Sequence, residues 1–429
     1  QALGDNPAAL ERFISLYDFH PQALVARQKL AELYSQRGEL SNAQNHLMHL
    51  SRSADEKVAA NSLYTLARLM DDQKLTTDAH FYYQQLNDRH AEVEVAEGKT
   101  ARALYETLMA GDLRKITDNA GRLSWGDYDL KIERSGASYS SSQKNELKSG
   151  SFRMPYFRQF RFEIDSKQKL SIIKLDDGKL HWLVPLRGKS RSSQSYAVAK
   201  AVGHKLFVLH RDVLHCLSPV ERKVLWTKML ETRGQASGYY YSPNQQTARP
   251  MQSGQSILSG QALLQRNSQT GMLAVANFNY VCVYGRRKFT VLDAATGEIR
   301  WTRDHVSART KLVGNEDVLY MVPQNRSDAV AFRAADGKPI TVENVGGLMA
   351  KAIRISERGL VLVESRSGSS ILGLSSSSST VVHQFDPMTK KDHWKHSFPN
   401  GAYFTLIDGD LLAALRKDGT FALLDLENG

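Results

Sequence analysis

The apolar positions along the chain follow two different periods. Over the first quarter they recur at helical spacing. Ala9, Ala43 and Ala79 lie 34 and 36 residues apart; four residues on from each stand Phe13, Leu47 and Tyr83, and seven on stand Leu16, Leu50 and Leu86. The preceding helix repeats as well, with Leu30, Ala31 and Tyr34 matched 36 residues later by Leu66, Ala67 and Met70. Small residues at the alanine positions let two helices approach, and the large apolar positions fill the groove between them. The turns carry Gly38-Glu39-Leu40 in one copy and Lys74-Leu75 in the next, and a glycine suits the left-handed backbone that ends many helices. The pattern predicts paired antiparallel helices over residues 1–115.

From about Trp125 the period shortens to two. Leu206–Leu209, Val318–Val322, Leu360–Val363 and Leu411–Leu415 are short apolar runs that read as strands. A second internal repeat punctuates them. Its fullest copy is Val291-Leu292-Asp293-Ala294-Ala295-Thr296-Gly297-Glu298-Ile299-Arg300-Trp301, and shorter copies end at Trp182, Trp226 and Trp394. The turn positions fall at Gly178, Arg222, Gly297, Gly337, Lys390 and Gly429, with gaps of 44, 75, 40, 53 and 39 residues. A unit of about forty residues, twice expanded by insertions, is what a four-stranded propeller blade requires. Asp293 and Gly297 shape the tight turn, and the tryptophans at 182, 226, 301 and 394 are long enough to dock on a neighbouring blade.

These motifs carry two resemblances. The helical repeat resembles the tetratricopeptide family, although Arg27 stands where that family has tryptophan. The L-D-A-x-T-G-x-x-x-W form at 291–301 is similar to the pyrroloquinoline-quinone-type propeller repeat. Together they imply an α + β multidomain protein: an α-solenoid at 1–115, a basic linker or arm at 116–161, and an all-β propeller at 162–429. Insertions are expected near 232–268 and 365–380. About six blades are expected in this sequence, within a seven- or eight-bladed whole whose two ends lie beyond Gln1 and Gly429.

Catalytic members of the quinoprotein family hold a quinone and Ca²⁺ above an adjacent cysteine pair. Here Cys216 and Cys282 stand apart in apolar runs and are expected to be buried free thiols. His210, Asp212 and His215 share one hairpin, but the two histidines have opposite parity and are expected at the surface or an edge, as are His393 and His396. No phosphate loop, paired CxxC, HExxH or nucleophile elbow occurs. No catalytic, cofactor-binding or metal-binding residue is therefore assigned, and no enzyme activity is expected.

Charge shifts the emphasis toward partners. The 429 residues carry a formal net charge of +11, which favours association with anionic partners. Between Lys131 and Arg161 seven basic residues face two acidic ones. Arg153, Arg158 and Arg161 are candidate contacts to an anionic surface, with Tyr156, Phe157, Phe160 and Phe162 as anchors. Tyr239, Tyr240 and Tyr241 in the first insertion are a further candidate contact. The basic residues are too dispersed for nucleic acid to be the expected partner. No stretch is long and apolar enough to cross a bilayer as a helix. The resemblance to non-catalytic quinoprotein-like propellers implies a scaffold binding other proteins or peptides in the bacterial periplasm or cell envelope. The alternative is a quinone-dependent oxidoreductase, or a small-ligand sensor using the propeller channel.

Overall fold

A computed structural model describes residues 6–17, 20–96, 98–111, 145–146, 154–165, 168–186, 197–210, 212–230, 273–285, 287–307, 310–323, 329–355, 359–366, 379–399, 402–407, 411–416, 418–426 and 429. The chain divides into two compact units, Gln1–Met229 and Leu230–Gly429.

The first unit opens with six helices: α1 (Pro7–Tyr17), α2 (Pro21–Gln36), α3 (Leu40–Leu50), α4 (Glu56–Asp72), α5 (Thr76–His90) and α6 (Ala101–Ala110). Polar caps set their starts. The Asp55 carboxylate accepts from the amides of Lys57 and Val58 at 2.9 and 3.2 Å, and Thr100 Oγ1 accepts from Ala103 N, so amides with no partner inside the helix are satisfied. The ends of α2 and α4 are built alike. Gly38 and Lys74 both take positive φ, +69° and +60°. Glu39 N and Leu75 N each reach back 2.9 Å, to Tyr34 O and Met70 O, the closure that orphan carbonyls at a helix end require. Ala43, Ala67 and Ala79 are fully buried where neighbouring helices meet, alongside Leu47, Leu63, Leu66 and Leu86. The first copy differs. Leu50 and Leu86 are buried, whereas Leu16 at the matching position of α1 is 58% exposed. A hairpin of β1 (Glu94–Ala96) and β2 (Lys99–Thr100) precedes α6, an element the periodicity did not signal.

Two antiparallel sheets complete this unit. The first contains β3 (Asn145–Glu146), β4 (Phe160–Ile164), β5 (Lys169–Lys174) and β6 (Leu180–Pro185). The second contains β7 (Ala197–Val202), β8 (Lys205–His210), β9 (Val213–Ser218) and β10 (Lys223–Met229). The sheet region begins earlier than residue 162, because β4 starts at Phe160 and β3 pairs with Glu163 and Ile164. The expected arm is also corrected over its last residues. Met154, Tyr156, Phe157, Phe160 and Phe162 are buried in one apolar core with the helices, so those aromatics anchor the chain to itself rather than to an outside partner.

Among the described residues, the second unit contains four sheets. The third sheet is β11 (Leu273–Ala276), β12 (Tyr280–Gly285), β13 (Lys288–Asp293) and β14 (Ile299–Arg303). The fourth is β15 (Lys311–Gly314), β16 (Val318–Val322), β17 (Val330–Arg333) and β18 (Pro339–Ile340). The fifth, after a short helix at Val345–Lys351, is β19 (Ala352–Ile355), β20 (Leu360–Arg366), β21 (Ser379–Asp386) and β22 (Lys391–Pro399). The sixth has three strands, β23 (Tyr403–Ile407), β24 (Leu411–Leu415) and β25 (Phe421–Asp425). Each is a meander of sequential neighbours. The expected insertion at 365–380 is shorter than read, since Ser365 and Arg366 pair with Thr380 and Ser379; residues 367–378, and the whole insertion at 232–268, lie outside the described residues.

The apolar runs have a direct physical reason. On β16, Leu319 faces a core shared with the third sheet, while Val318, Tyr320 and Val322 face a core shared with the fifth. On β20, Leu360 and Leu362 face the fourth sheet and Val361 the sixth. Successive side chains point to opposite faces, and both faces are covered, so alternation disappears from the inner strands.

Lys74 is an exposed residue held in a backbone conformation that costs a residue with a Cβ about 1 kcal/mol or more. Lys74→Gly is expected to stabilise the first unit by about 1 kcal/mol, read as a rise of roughly 2–4 °C in its melting temperature.

Candidate interaction surfaces

The repeat turns follow one design. All six marker positions have positive φ: Gly178 +66°, Arg222 +51°, Gly297 +72°, Gly337 +70°, Lys390 +59° and Gly429 +75°. In the fullest copy Asp293 Oδ1 accepts from the amides of Ala295 and Thr296 at 2.8 and 2.9 Å, and Oδ2 receives Arg300 at 2.7 Å. Burial pushes the Asp293 carboxyl up, but Arg300 and these amide donors outweigh it and hold the group below the usual carboxylate range. The acid is consumed in making the turn.

The tryptophan after that turn joins two sheets. Trp301 Nε1 donates to the carbonyl of Ala334 at 2.8 Å, and its ring lies against Phe332 of the fourth sheet, centroids 6.0 Å apart. A Cβ at Gly337 would sit 2.5 Å from Trp301 Cδ2. Trp394 covers Gly429 in the same way, 2.5 Å from ring Cγ to a built Cβ. The turn glycine thus serves twice, adopting left-handed backbone and receiving the preceding sheet's indole. Trp182 is half-buried against the first unit's core, and Trp226 packs on Phe207 of its own sheet at 5.9 Å.

A second clamp binds the third and fourth sheets at the same end. Glu316, nearly buried, accepts from Phe278 N at 3.1 Å and Asn279 N at 2.9 Å, while Asn277 Nδ2 donates to Asn315 O at 2.9 Å. Sequence reasoning assigned no contact between these two turns; the matched Asn277-Phe278-Asn279 and Asn315-Glu316-Asp317 triplets are its local signal.

Residues 166–429 match the family described as Outer membrane protein assembly factor BamB. The chain belongs to this family. Its sheets are therefore those of a quinoprotein-like β-propeller. Two solved structures are similar to it. "The crystal structure of BamB from Moraxella catarrhalis" is 13% identical, at TM-score 0.26, with 62% of this chain and 82% of that one covered. "Dihydro-heme d1 dehydrogenase NirN in complex with DHE" is 13% identical, at TM-score 0.31, with 66% and 55% covered. At these scores neither informs the reading of function. No curated protein sequence matches the chain.

Helices α1–α6 of this BamB-family chain lie outside the matched residues, and in the first unit they join its sheets through buried polar groups. His204, in the β7–β8 turn, donates its amide to Gln44 Oε1 at 2.9 Å, and Gln44 Nε2 lies 3.1 Å from His204 Nδ1 and 2.7 Å from the Tyr82 hydroxyl. With Gln44 oriented by that amide, Nδ1 accepts and Nε2 carries the proton, which it directs to Asp78 Oδ1 at 3.2 Å. Asp78 also takes the Tyr156 amide. Beside them Lys205 Nζ meets Asn45 Oδ1 at 3.1 Å, and Ser41 Oγ meets Glu221 Oε2 at 2.6 Å and Ser218 Oγ at 2.9 Å. His204, Lys205, Gln44 and Asp78 are all buried. The arrangement contains a histidine and a carboxylate, and both are hydrogen-bonded to groups across the junction, which fixes one helix–sheet register.

The remaining candidates are placed as follows. Arg158 and Arg161 are exposed, with Arg161 paired to Glu163 at 2.9 Å. Arg153 and Tyr239, Tyr240 and Tyr241 lie outside the described residues. His210 and His215 are buried in the second sheet, which corrects the expectation of surface or edge positions; inner strands here have no solvent face. His393 is exposed, while His396 reaches the carbonyl of Gly429. Cys216 and Cys282 are buried and not joined in a disulfide, and burial pushes Cys216 up to about 12.

Among the described residues, the donors expected of a Ca²⁺-held quinone site are placed apart or already engaged. The two cysteines lie singly on β9 and β12, Glu316 spends both oxygens on backbone amides, and among the described residues no group of three His, Cys, Asp or Glu side chains gathers as a metal site.

Gly337→Ala is expected to cost about 3 kcal/mol in the second unit, combining left-handed strain with displacement of the Trp301 ring. Gly178→Ala, where a Cβ meets nothing within 4 Å, is expected to cost only about 1 kcal/mol in the first. Denaturant unfolding of both variants checks the difference. In the first unit, Asp78→Ala is expected to cost about 3 kcal/mol or more, because the buried His204 loses the acceptor for its proton; unfolding followed by Trp182 and Trp226 fluorescence measures it.

Proposed function

We propose that this BamB-family chain is a non-enzymatic scaffold of the bacterial envelope that binds other proteins, using a tetratricopeptide-like helical solenoid and a propeller face. The observation that carries the reading is the family match across residues 166–429, whose printed description is an assembly factor. The residue chemistry agrees with it. The acids at the repeat turns are engaged by backbone amides and Arg300, and the buried His204–Asp78 pair is enclosed between elements with both groups hydrogen-bonded. What these elements leave is surface, and a surface serves binding rather than bond-making. The excess of 56 Lys and Arg over 45 Asp and Glu favours partners that present acidic groups.

Affinity capture from a bacterial envelope extract, with the full chain as bait, is expected to recover a defined set of envelope proteins at physiological salt. Recovery of none would count against the scaffold. A dehydrogenase activity that appears on adding pyrroloquinoline quinone and Ca²⁺ would replace it with the oxidoreductase reading.

A further inference from the structure

Helix α1 lays Leu10 and Ile14 into the core of the first unit, while Leu16 and Tyr17 stay exposed. Its 11 residues are too few to remain helical in water without something to dock on. A carboxylate supplies polar contact in that docking. Glu11 Oε1 receives the Tyr34 hydroxyl of α2 at 3.2 Å and lies 3.1 Å from His46 Nε2 of α3. The Tyr34 and His46 rings stack nearly parallel, their centroids 5.8 Å apart and their planes at 8°. One acceptor on α1 thus meets a donor from each of two neighbouring helices.

His46 is 2% exposed. Facing a carboxylate, its Nε2 carries the proton, and among the described residues Nδ1 is buried with no hydrogen-bond partner. A second proton would therefore go to Nδ1, away from Glu11, into a buried place with no acceptor. The charged groups around the ring are Glu11 from α1, Arg27 from α2 and Lys205 at the start of β8. Burial holds the imidazole below the ordinary histidine range; Glu11 opposes it, while Arg27 and Lys205 act with it. Burial, then Glu11, pushes the Tyr34 hydroxyl up, so it stays a donor, and Glu39 and Arg37 act on it in opposite senses. We propose that α1 is an acid-released clasp, docked while His46 is neutral and freed from α2 and α3 when the ring takes up a second proton. The docked state disfavours a proton that the free ring accepts at about pH 6.5. Docking is therefore intact above that pH and weakens below it. Such a clasp concerns the helices alone and does not depend on the scaffold reading.

Hydrogen–deuterium exchange of the full chain tests the clasp, read by mass spectrometry over α1 with α4 as the internal reference. Exchange is compared at about pH 7.5 and about pH 5.5, each corrected for the intrinsic rate. Protection of α1 relative to α4 is expected to fall about tenfold at the lower pH. In His46→Gln, whose carboxamide donates to Glu11 without titrating, α1 is expected to be equally protected at both pH values. Tyr34→Phe removes one donor and leaves His46 in place, so α1 protection is expected to drop about threefold at both pH values while the acid response persists. The proposal is overturned by an α1 that follows α4 in the parent chain, by an acid response that survives in His46→Gln, or by α1 protection unchanged in Tyr34→Phe. Should His46→Gln fail to fold, the parent chain and Tyr34→Phe decide alone.

Discussion

A four-stranded sheet whose two faces are both apolar cannot be buried alone, and this constraint organises the second unit of the chain. Val361 and its neighbours Leu360 and Leu362 point into different cores, so a single strand belongs to two interfaces at once. The sheets are held in order by contacts at their turns rather than by covalent links. Trp301 spans from one sheet to the next, bonded to Ala334 O and resting on the bare backbone of Gly337. An indole buries a large area and still carries one donor, so it packs and orients in one contact. Glu316 adds a polar latch beside it.

The helices of the first unit meet their sheets by a different logic. An apolar seam through Tyr156, Phe157 and Phe160 supplies burial, and the group formed by Gln44, Tyr82, Asp78 and His204 supplies direction. Apolar contact tolerates sliding; hydrogen bonds in a water-free junction do not, because a shifted register leaves donors and acceptors unpaired. The helices and the first two sheets are thereby one folded body, which gives a helical surface a fixed bearing on the sheets beside it.

This use of chemistry bears on function. Asp293, Glu316, Asp78 and His204 are residue types that catalysis often employs, and here each is hydrogen-bonded within a turn or a junction.

The sequence by itself determined the periods, and therefore where the helical repeat gives way to strands, although not the β1–β2 hairpin within the helical part. Alanine at 43, 67 and 79 and the unbroken apolar runs at 318–322 and 360–363 admit few other readings, because each residue type answers to its nearest neighbours along the element. It also marked six turn positions, including Arg222 and Lys390, where only the repeat spacing and not the residue type gave them away; their left-handed backbone came from the structure. Tertiary structure decided what those elements face. Tyr156 to Phe162 read as an arm for an outside partner because aromatic residues in a basic stretch look alike whether their cover comes from another molecule or from the same chain. His210 and His215 read as surface residues because alternation distinguishes two faces but not whether both are covered. The pairing of Gln44 with His204, 160 residues apart, arises from groups brought together in space, and no local pattern records such a meeting.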